Sequence, residues 1–391
     1  MHSGQAEGAA SAPAVSVIVP AWNAEATLAE TLASVAAQRF TDIEILIVND
    51  GSTDATAAIA RDFCATDPRA RLIGKPNGGV ASARNAGIAV ARGDWVAPID
   101  GDDLWHPDYL ALLMEKALAT DPAPVAVYAH CRLIDQQGRL VTTGRDFDIA
   151  GMAFIRMFYC NPVGNGSGLM FRRASVLDRG PAGGGYDMRL HAADRQGCED
   201  WLLLVRLAAT GPVARVPAYL VGYRRRAGSM SEDRSRMVAS NDMARATLVR
   251  ELELPRLPAW LWRWIRASQC VTRVSAHVQR RRWGAALGNL GLAALLDPLP
   301  TMALLAGHGA MRMRWLLARP EASSGMTFAE APIAIGEQGA TAQDWYRRLE
   351  KAKLRRIARF EAGLPRSPAN GSGVARPDGR DASLEGRFPR P

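Results

Sequence analysis

Three carboxylates, Asp100, Asp102 and Asp103, stand close together at the end of an apolar run from Trp95 to Ile99, and Pro107 then introduces an amphipathic helix. Carboxylates crowded in this way repel one another unless a cation or hydrogen-bond donors lie among them. Oxygen-only ligands suit a hard divalent ion, Mg²⁺ or Mn²⁺. Mg²⁺ characteristically takes one or two carboxylates and fills its remaining positions with water and phosphate oxygens. The cluster therefore reads as a metal site whose substrate is a diphosphate. The plain alternative is a solvated acidic turn capping the helix at Pro107.

Such a cluster needs strands to carry it. Val15 to Val19 is a short, continuous, β-branched apolar run, the pattern of a strand buried on both faces, and Ile43 to Val48 is a second. Between them Leu28, Leu32 and Val35 recur at helical spacing within a helix expected over Ala24 to Ala37. The alternation continues with a helix from Asp54 to Ala65, a strand at Arg71 to Ile73 and a helix from Val80 to Ala91. This order predicts a doubly wound, mostly parallel α/β sheet with right-handed crossovers, whose ligands bind at the carboxyl ends of the strands. PAWN follows the first strand, NDGSTDAT the second and DGDD the fourth, while the third leads through KPNGG. Their convergence would place Trp22 as an aromatic face and Asp50 as an acceptor for a base N–H beside the carboxylates, a nucleotide pocket. The first turn has no glycine and there is no GxxxxGK[ST] loop, which disfavours hydride transfer and P-loop chemistry.

The chain has 391 residues, 48% of them apolar and 22% charged, enough for one large core or two modest ones. Its net charge of +9 is uneven: residues 1–230 carry 22 basic and 24 acidic side chains, and the remainder carries 26 and 15. The basic surface is C-terminal. Five cysteines show neither metal-site spacing nor a paired pattern, which fits a reducing compartment. Residues 1–13 have no basic region followed by an apolar run, so they are expected as a disordered lead-in and the protein is expected to be cytoplasmic.

The blocks VSVIVPAWNAEATLAETLASVAAQ, EILIVNDGSTDAT, NGGVASARNAGIAVARGDWVAPIDGDDLWHPDYL and GCEDWLLLVRLA, in this order, resemble a family-2 glycosyltransferase of GT-A fold over residues 14–230. The resemblance implies an inverting transferase that takes a sugar from a nucleotide-diphosphate donor with Mn²⁺ or Mg²⁺ assistance. It implies a nucleotide site at Pro20, Trp22, Asp50, Arg84 and Asp100, with Asp50 reading the base, usually uracil, and Asp100 near the ribose. It implies metal contacts at Asp102 and, in a neighbouring role, Asp103. Arg84 has an equal alternative as a brace for the acidic loop. Glu199 and Asp200 open a helix, where acidic side chains also suit the helix dipole. In the family this pair holds the catalytic base, which makes Asp200 the expected base and Glu199 its orienting partner, with Asp187 next in line. Arg224 and Arg226 fall where the family closes over the diphosphate. The chain departs from the family with Asn49 before Asp50, and with Arg226 at a position that usually holds histidine. NPVGNGSGLMFRRASVL resembles the acceptor-side strand, or is a simple glycine-rich turn. The acceptor implied is a glycan or lipid-linked sugar of envelope polysaccharide or glycoconjugate synthesis. A nucleotidyltransferase and an inactive sugar-binding scaffold are the competing readings.

Beyond residue 231 strand signals stop. Residues 231–320 mix tryptophan with arginine, as helices at a membrane interface do, and a helical hairpin is expected, lying on a membrane or packed on the catalytic domain. Pro298 and Pro300 interrupt the apolar stretch before it reaches the length of about 18 residues that a span requires. Residues 321–340 read as a linker, 341–361 as a basic amphipathic helix that binds anionic lipid at the inner face of the cytoplasmic membrane, binds nucleic acid, or stands as a solvated extension, and 362–391 as a disordered tail. No nucleic-acid-binding module is visible.

Overall fold

A computed structural model describes residues 12–143, 147–177, 185–225, 232–252, 254, 257–298, 301–302, 326–334 and 344–364. Strands and helices alternate through β1 (Val15–Ala21), α1 (Leu28–Ala36), β2 (Ile43–Asp50), α2 (Thr56–Thr66), β3 (Ala70–Lys75), α3 (Gly79–Val90) and β4 (Trp95–Pro98). Then come β5 (Leu104–Trp105), α4 (Tyr109–Ala119), β6 (Ala126–Ile134), β7 (Leu140–Thr143), α5 (Phe154–Tyr159), β8 (Leu169–Arg172), α6 (Ala174–Leu177), α7 (Arg189–Ala192), α8 (Glu199–Ala208) and β9 (Val213–Arg224). The remaining helices are α9 (Arg234–Glu251), α10 (Ala259–Gln279), α11 (Trp283–Leu296) and α12 (Asp344–Ala362).

The strands form one sheet in the order β3-β2-β1-β4-β8-β6-β9-β5, with β7 paired to β6. The half from β3 to β4 is parallel, as the alternation predicts. The other half is mixed: β8 is antiparallel to both its neighbours, whereas β6 and β9 run parallel. The unbroken apolar runs are explained by two cores, one on each face. Val15, Val17, Val19, Ile43, Ile45 and Ile47 point to the α1 and α4 side, while Ile18, Leu46 and Val48 point to the side covered by α3, α5 and α8. The two-residue period of a strand makes this division obligatory.

The C-terminal segments differ from a tethered appendage. Part of the expected linker packs on the sheet: Thr327 bridges Arg139, Ala334 bridges Ala218, and Phe328 is buried against Leu104 and Ile134. Backbone hydrogen bonds from Leu140 to the Met326 carbonyl, from Phe328 to the Gly138 carbonyl and from Tyr219 to the Ile333 carbonyl hold the segment in place. The basic helix is likewise docked. Leu354 and Ile357 on α12 are buried in the core shared with α5 and α8, and Arg356 lies 4.4 Å over the Trp260 ring of α10. Lys353, buried, donates to Asp297 and Glu350, and Glu361 accepts from the Ile155 amide and from Arg156 Nε at 2.7 Å. The apolar face expected to meet lipid is therefore covered by this chain's own helices. Arg348, Lys351, Arg355 and Arg359 stay exposed on the outer side. Among the described residues no helix is long and apolar enough to cross a membrane.

Candidate active site

β1 lies between β2 and β4 in parallel register, so the loops leaving these three strands open at one edge of the sheet, onto a cavity of about 490 Å³. Pro20, Trp22, Asp50, Arg84, Asp100, Asp102, Glu199, Asp200 and Arg224 all line it. Trp22 is 57% exposed at the end of β1, leaving its indole face open to a planar ligand. Asp50 is buried at the end of β2, where its carboxylate accepts from Lys75 Nζ at 2.5 Å, the Gly79 amide at 2.8 Å and the Gly78 amide at 3.1 Å. Gly79 has φ +82°, and a Cβ there would fall 2.5 Å from His191 Nδ1, so the turn holding Asp50 requires glycine on both counts.

Arg84, on α3, joins the two acidic motifs. Its buried guanidinium donates to Asp100 Oδ1 at 2.5 Å and to Glu199 Oε1 at 3.1 Å, and it lies 4.9 Å over the Tyr186 ring. Burial opposes its charge, but Asp100, Tyr186 and Glu199 outweigh that and hold it firmly protonated. The brace that the sequence offered as an alternative for Arg84 is thus present, within the cavity wall. Gly166 permits it, since a Cβ there would sit 2.6 Å from Arg84 Nη2.

Two residues differ from their expected places. Asp103 does not line the cavity. It is fully buried and accepts from Asn165 Nδ2 at 2.8 Å, Ser167 Oγ at 2.6 Å and the Arg224 amide at 3.0 Å. Burial, with the charges of Asp102 and Asp100, pushes its carboxyl well above the usual carboxylate range. Donors satisfy both its oxygens, so Asp103 pins the acidic loop to the Asn165–Ser167 turn before β8 and to β9, and the metal contact expected of it is corrected to a brace. Arg224 is also tied down. It donates to the carbonyls of Asp102, Asp135 and Gln136 and to Glu30 Oε2, with its side chain fully buried. A guanidinium with these partners would have to abandon buried carbonyls to meet a diphosphate. Arg226 lies outside the described residues.

Asp200 reaches the cavity from the first turn of α8. Burial and the neighbouring Glu199 charge push its carboxyl up to about 7, against the opposing pull of Arg84. Glu199 is fixed between Arg84 and the Gly197 amide, which donates to its Oε2 at 2.8 Å. Asp187 is held by Arg189 and Arg206, which keep its carboxyl far below the usual range, so it stays ionised and paired.

Residues 16–177 match glycosyl transferase family 2, a segment that carries the β1, β2 and β4 motifs. That segment is similar to a family-2 glycosyltransferase domain. The chondroitin synthase of Escherichia coli is 34% identical over 137 residues, 35% of this chain and 20% of that protein. The hyaluronan synthase of Pasteurella multocida is 36% identical over 132 residues, 34% of this chain and 14% of that one. The chain thus spans a fifth or less of these relatives. In fold it resembles the mannosyltransferase PcManGT of Pyrobaculum calidifontis, solved with GDP-Man and Mn²⁺, at TM-score 0.52 and 20% identity, covering 91% of this chain and 89% of that one.

The cavity also contains residues that sequence reasoning missed. Asn77, Asn165, His191, Gln196 and Arg236 line the cavity. Asn77 and Asn165 stand in loops already suspected, but Arg236 comes from α9, beyond the last strand, and no spacing pointed to it. Its ion pair with Asp194 is a surface one at 3.6 Å, weak enough to exchange for a ligand.

Proposed function

We propose that the chain is an inverting glycosyltransferase that moves a sugar from a nucleotide-diphosphate donor, a UDP-sugar, to a hydroxyl of a glycan or lipid-linked acceptor. The observation that carries this reading is the meeting of Asp102 and Asp200 in one cavity, with Glu199 and Arg84 fixing the geometry between them. Asp200, poised near neutrality, takes the proton of the acceptor hydroxyl as that oxygen attacks the anomeric carbon. Glu199 orients the base and, like Asp100, draws its position from Arg84. Trp22 and Asp50 receive the nucleoside, the first by stacking and the second by accepting a base N–H.

The donor set at Asp102 consists of carboxylate oxygens, which fits Mn²⁺ or Mg²⁺. No group of three or more histidine, cysteine or acidic side chains that could hold a metal ion occurs among the described residues, so most ligands would come from the diphosphate and water. Bound there, the ion would neutralise the leaving diphosphate. Arg236 is the cavity-lining arginine on which an anionic donor makes the smallest demand, because Arg84 and Arg224 are held by buried partners. The chain's basic C-terminal half suits work at an anionic membrane, with the acceptor presented at its cytoplasmic face.

Calorimetric titration with UDP, GDP and ADP, with and without Mn²⁺, tests this reading. Metal-dependent binding with UDP tightest is expected. Preference for GDP would overturn the uridine assignment, and metal-independent binding would overturn the role of Asp102.

A further inference from the structure

α11 presents an unusual surface. Its sequence, WGAALGNLGLAALL, has no charged side chain, yet among its residues only Ala286 and Ala293 are buried, where they face α10. Trp283 is 60% exposed, Leu287 68%, Leu292 48% and Leu295 80%, and Met302 just beyond the helix is 55% exposed. A Cβ built on Gly284, Gly288 or Gly291 would meet nothing within 4 Å, so the outer side is open along its whole length. A helix apolar nearly all round belongs in a core or in lipid, and an exposed patch of this kind marks a contact. At 1.5 Å per residue it is about 21 Å long, short of the roughly 30 Å hydrocarbon layer, so it would lie in a membrane interface rather than cross it.

The charges around it choose the partner. Arg280, Arg281 and Arg282 immediately precede α11, and Arg263 and Arg266 lie on α10, where Arg273 is paired with Asp242. Asp297, the acid that ends this hairpin, is buried and paired with Lys353. The exposed side of α12, which packs on α10, adds Arg348, Lys351, Arg355 and Arg359. A second copy of this chain would bring the same arginines against these and be repelled, whereas an anionic bilayer brings the opposite charge and an apolar layer beneath it.

We infer that the outer face of α11, with the arginines beside it, is an anionic-lipid docking surface that seats the enzyme flat on the membrane. Trp283 and the leucines enter the headgroup boundary, and Arg280 to Arg282 pair with lipid phosphates. The inference takes from the proposed function only that the acceptor is presented at a membrane. The buried apolar face of α12 has no part in it.

Co-sedimentation of the full chain with vesicles of phosphatidylcholine and phosphatidylglycerol in equal parts, compared with phosphatidylcholine alone, tests it. Binding to the anionic vesicles that weakens as salt rises is expected. Leu287→Glu with Leu295→Glu should lower the partition coefficient by more than about tenfold, and Arg281→Glu with Arg282→Glu should abolish the preference for anionic lipid. Both pairs are exposed and outside the cavity, so UDP binding with Mn²⁺ should be unchanged in each, which keeps this test separate from that of the donor site. Vesicle binding that survives the leucine substitutions would overturn the inference. So would a dimer in solution that those substitutions dissolve without any vesicle binding by the parent. If vesicles bind as expected but UDP does not, the surface stands and the catalytic reading falls.

Discussion

Asp102 and Asp103 are adjacent in the chain, but one lines the cavity and the other is wrapped by donors, so substituting each separates two properties. Asp102→Asn should leave the fold intact and remove metal-dependent UDP binding, measured by calorimetry. Asp103→Ala strands Asn165, Ser167 and the Arg224 amide, and should cost about 2 to 4 kcal/mol by urea denaturation, at roughly 1 to 3 per orphaned group with some relaxation. Asp200 gives a prediction in pH. Its folded-state value, about 7, is above its ordinary 3.8, so the folded protein binds this proton more tightly and stability contributed there is lost as pH rises from about 4 to about 7. Asp200→Asn should therefore be more stable than the parent at pH 8, by about 1 to 3 kcal/mol, while transfer falls by about two to four orders of magnitude. In the parent, kcat should decline below about pH 7 as the base takes up its proton. A pH-independent kcat from 5 to 9 would remove Asp200 from that role. Asp100 and Asp102 were legible from their place at a strand end, whereas Asp200 was singled out only through the family resemblance, because an acidic side chain in a first helical turn also suits the helix dipole. The bracing of Asp103 and Arg224 was not legible, because their partners lie 62 to 194 residues away and nothing local announces them.

At the scale of elements, α12 is the instructive case. Its amphipathic pattern was readable, and Leu354, Ile357 and Phe360 do share a face, but the pattern alone cannot distinguish a lipid layer from the tryptophans of α10. The charges decide it: a lysine on the apolar side, Lys353, meets Asp297 and Glu350 in a buried cluster that a membrane could not supply. Lys353→Met should leave two buried carboxylates uncompensated and cost about 3 to 5 kcal/mol in urea denaturation. Lys351→Glu, on the exposed side of the same helix, should change stability by no more than about 0.5 kcal/mol. Equal effects from the two would mean that α12 is not docked. The parallel half of the sheet was legible from β-branched runs and helical spacing. β5 and the bridges of residues 326–334 were not, being too short to show a period.

Across the whole molecule, the motifs proposed to meet donor and base fall between β1 and α8, whereas the support for α8 arrives much later. α5 packs against α8 through Trp201 Nε1, which donates to the Met157 carbonyl, and the Ile155 amide at the start of α5 donates to Glu361, 206 residues further on. Removing residues 341–391 should therefore lower turnover on a water-soluble acceptor as well as stability, measured by transfer assays at matched folded fraction. Unchanged turnover would show that α8 needs no such backing. The same contact has a meaning in time. A ribosome adding about 5 to 20 residues per second needs roughly 10 to 40 s to go from Ile155 to Glu361. Once α9 has been made the nascent chain carries every residue named in the cavity wall, while α5, against which α8 packs, still lacks its Glu361 partner, so competence is expected late in synthesis, with α12.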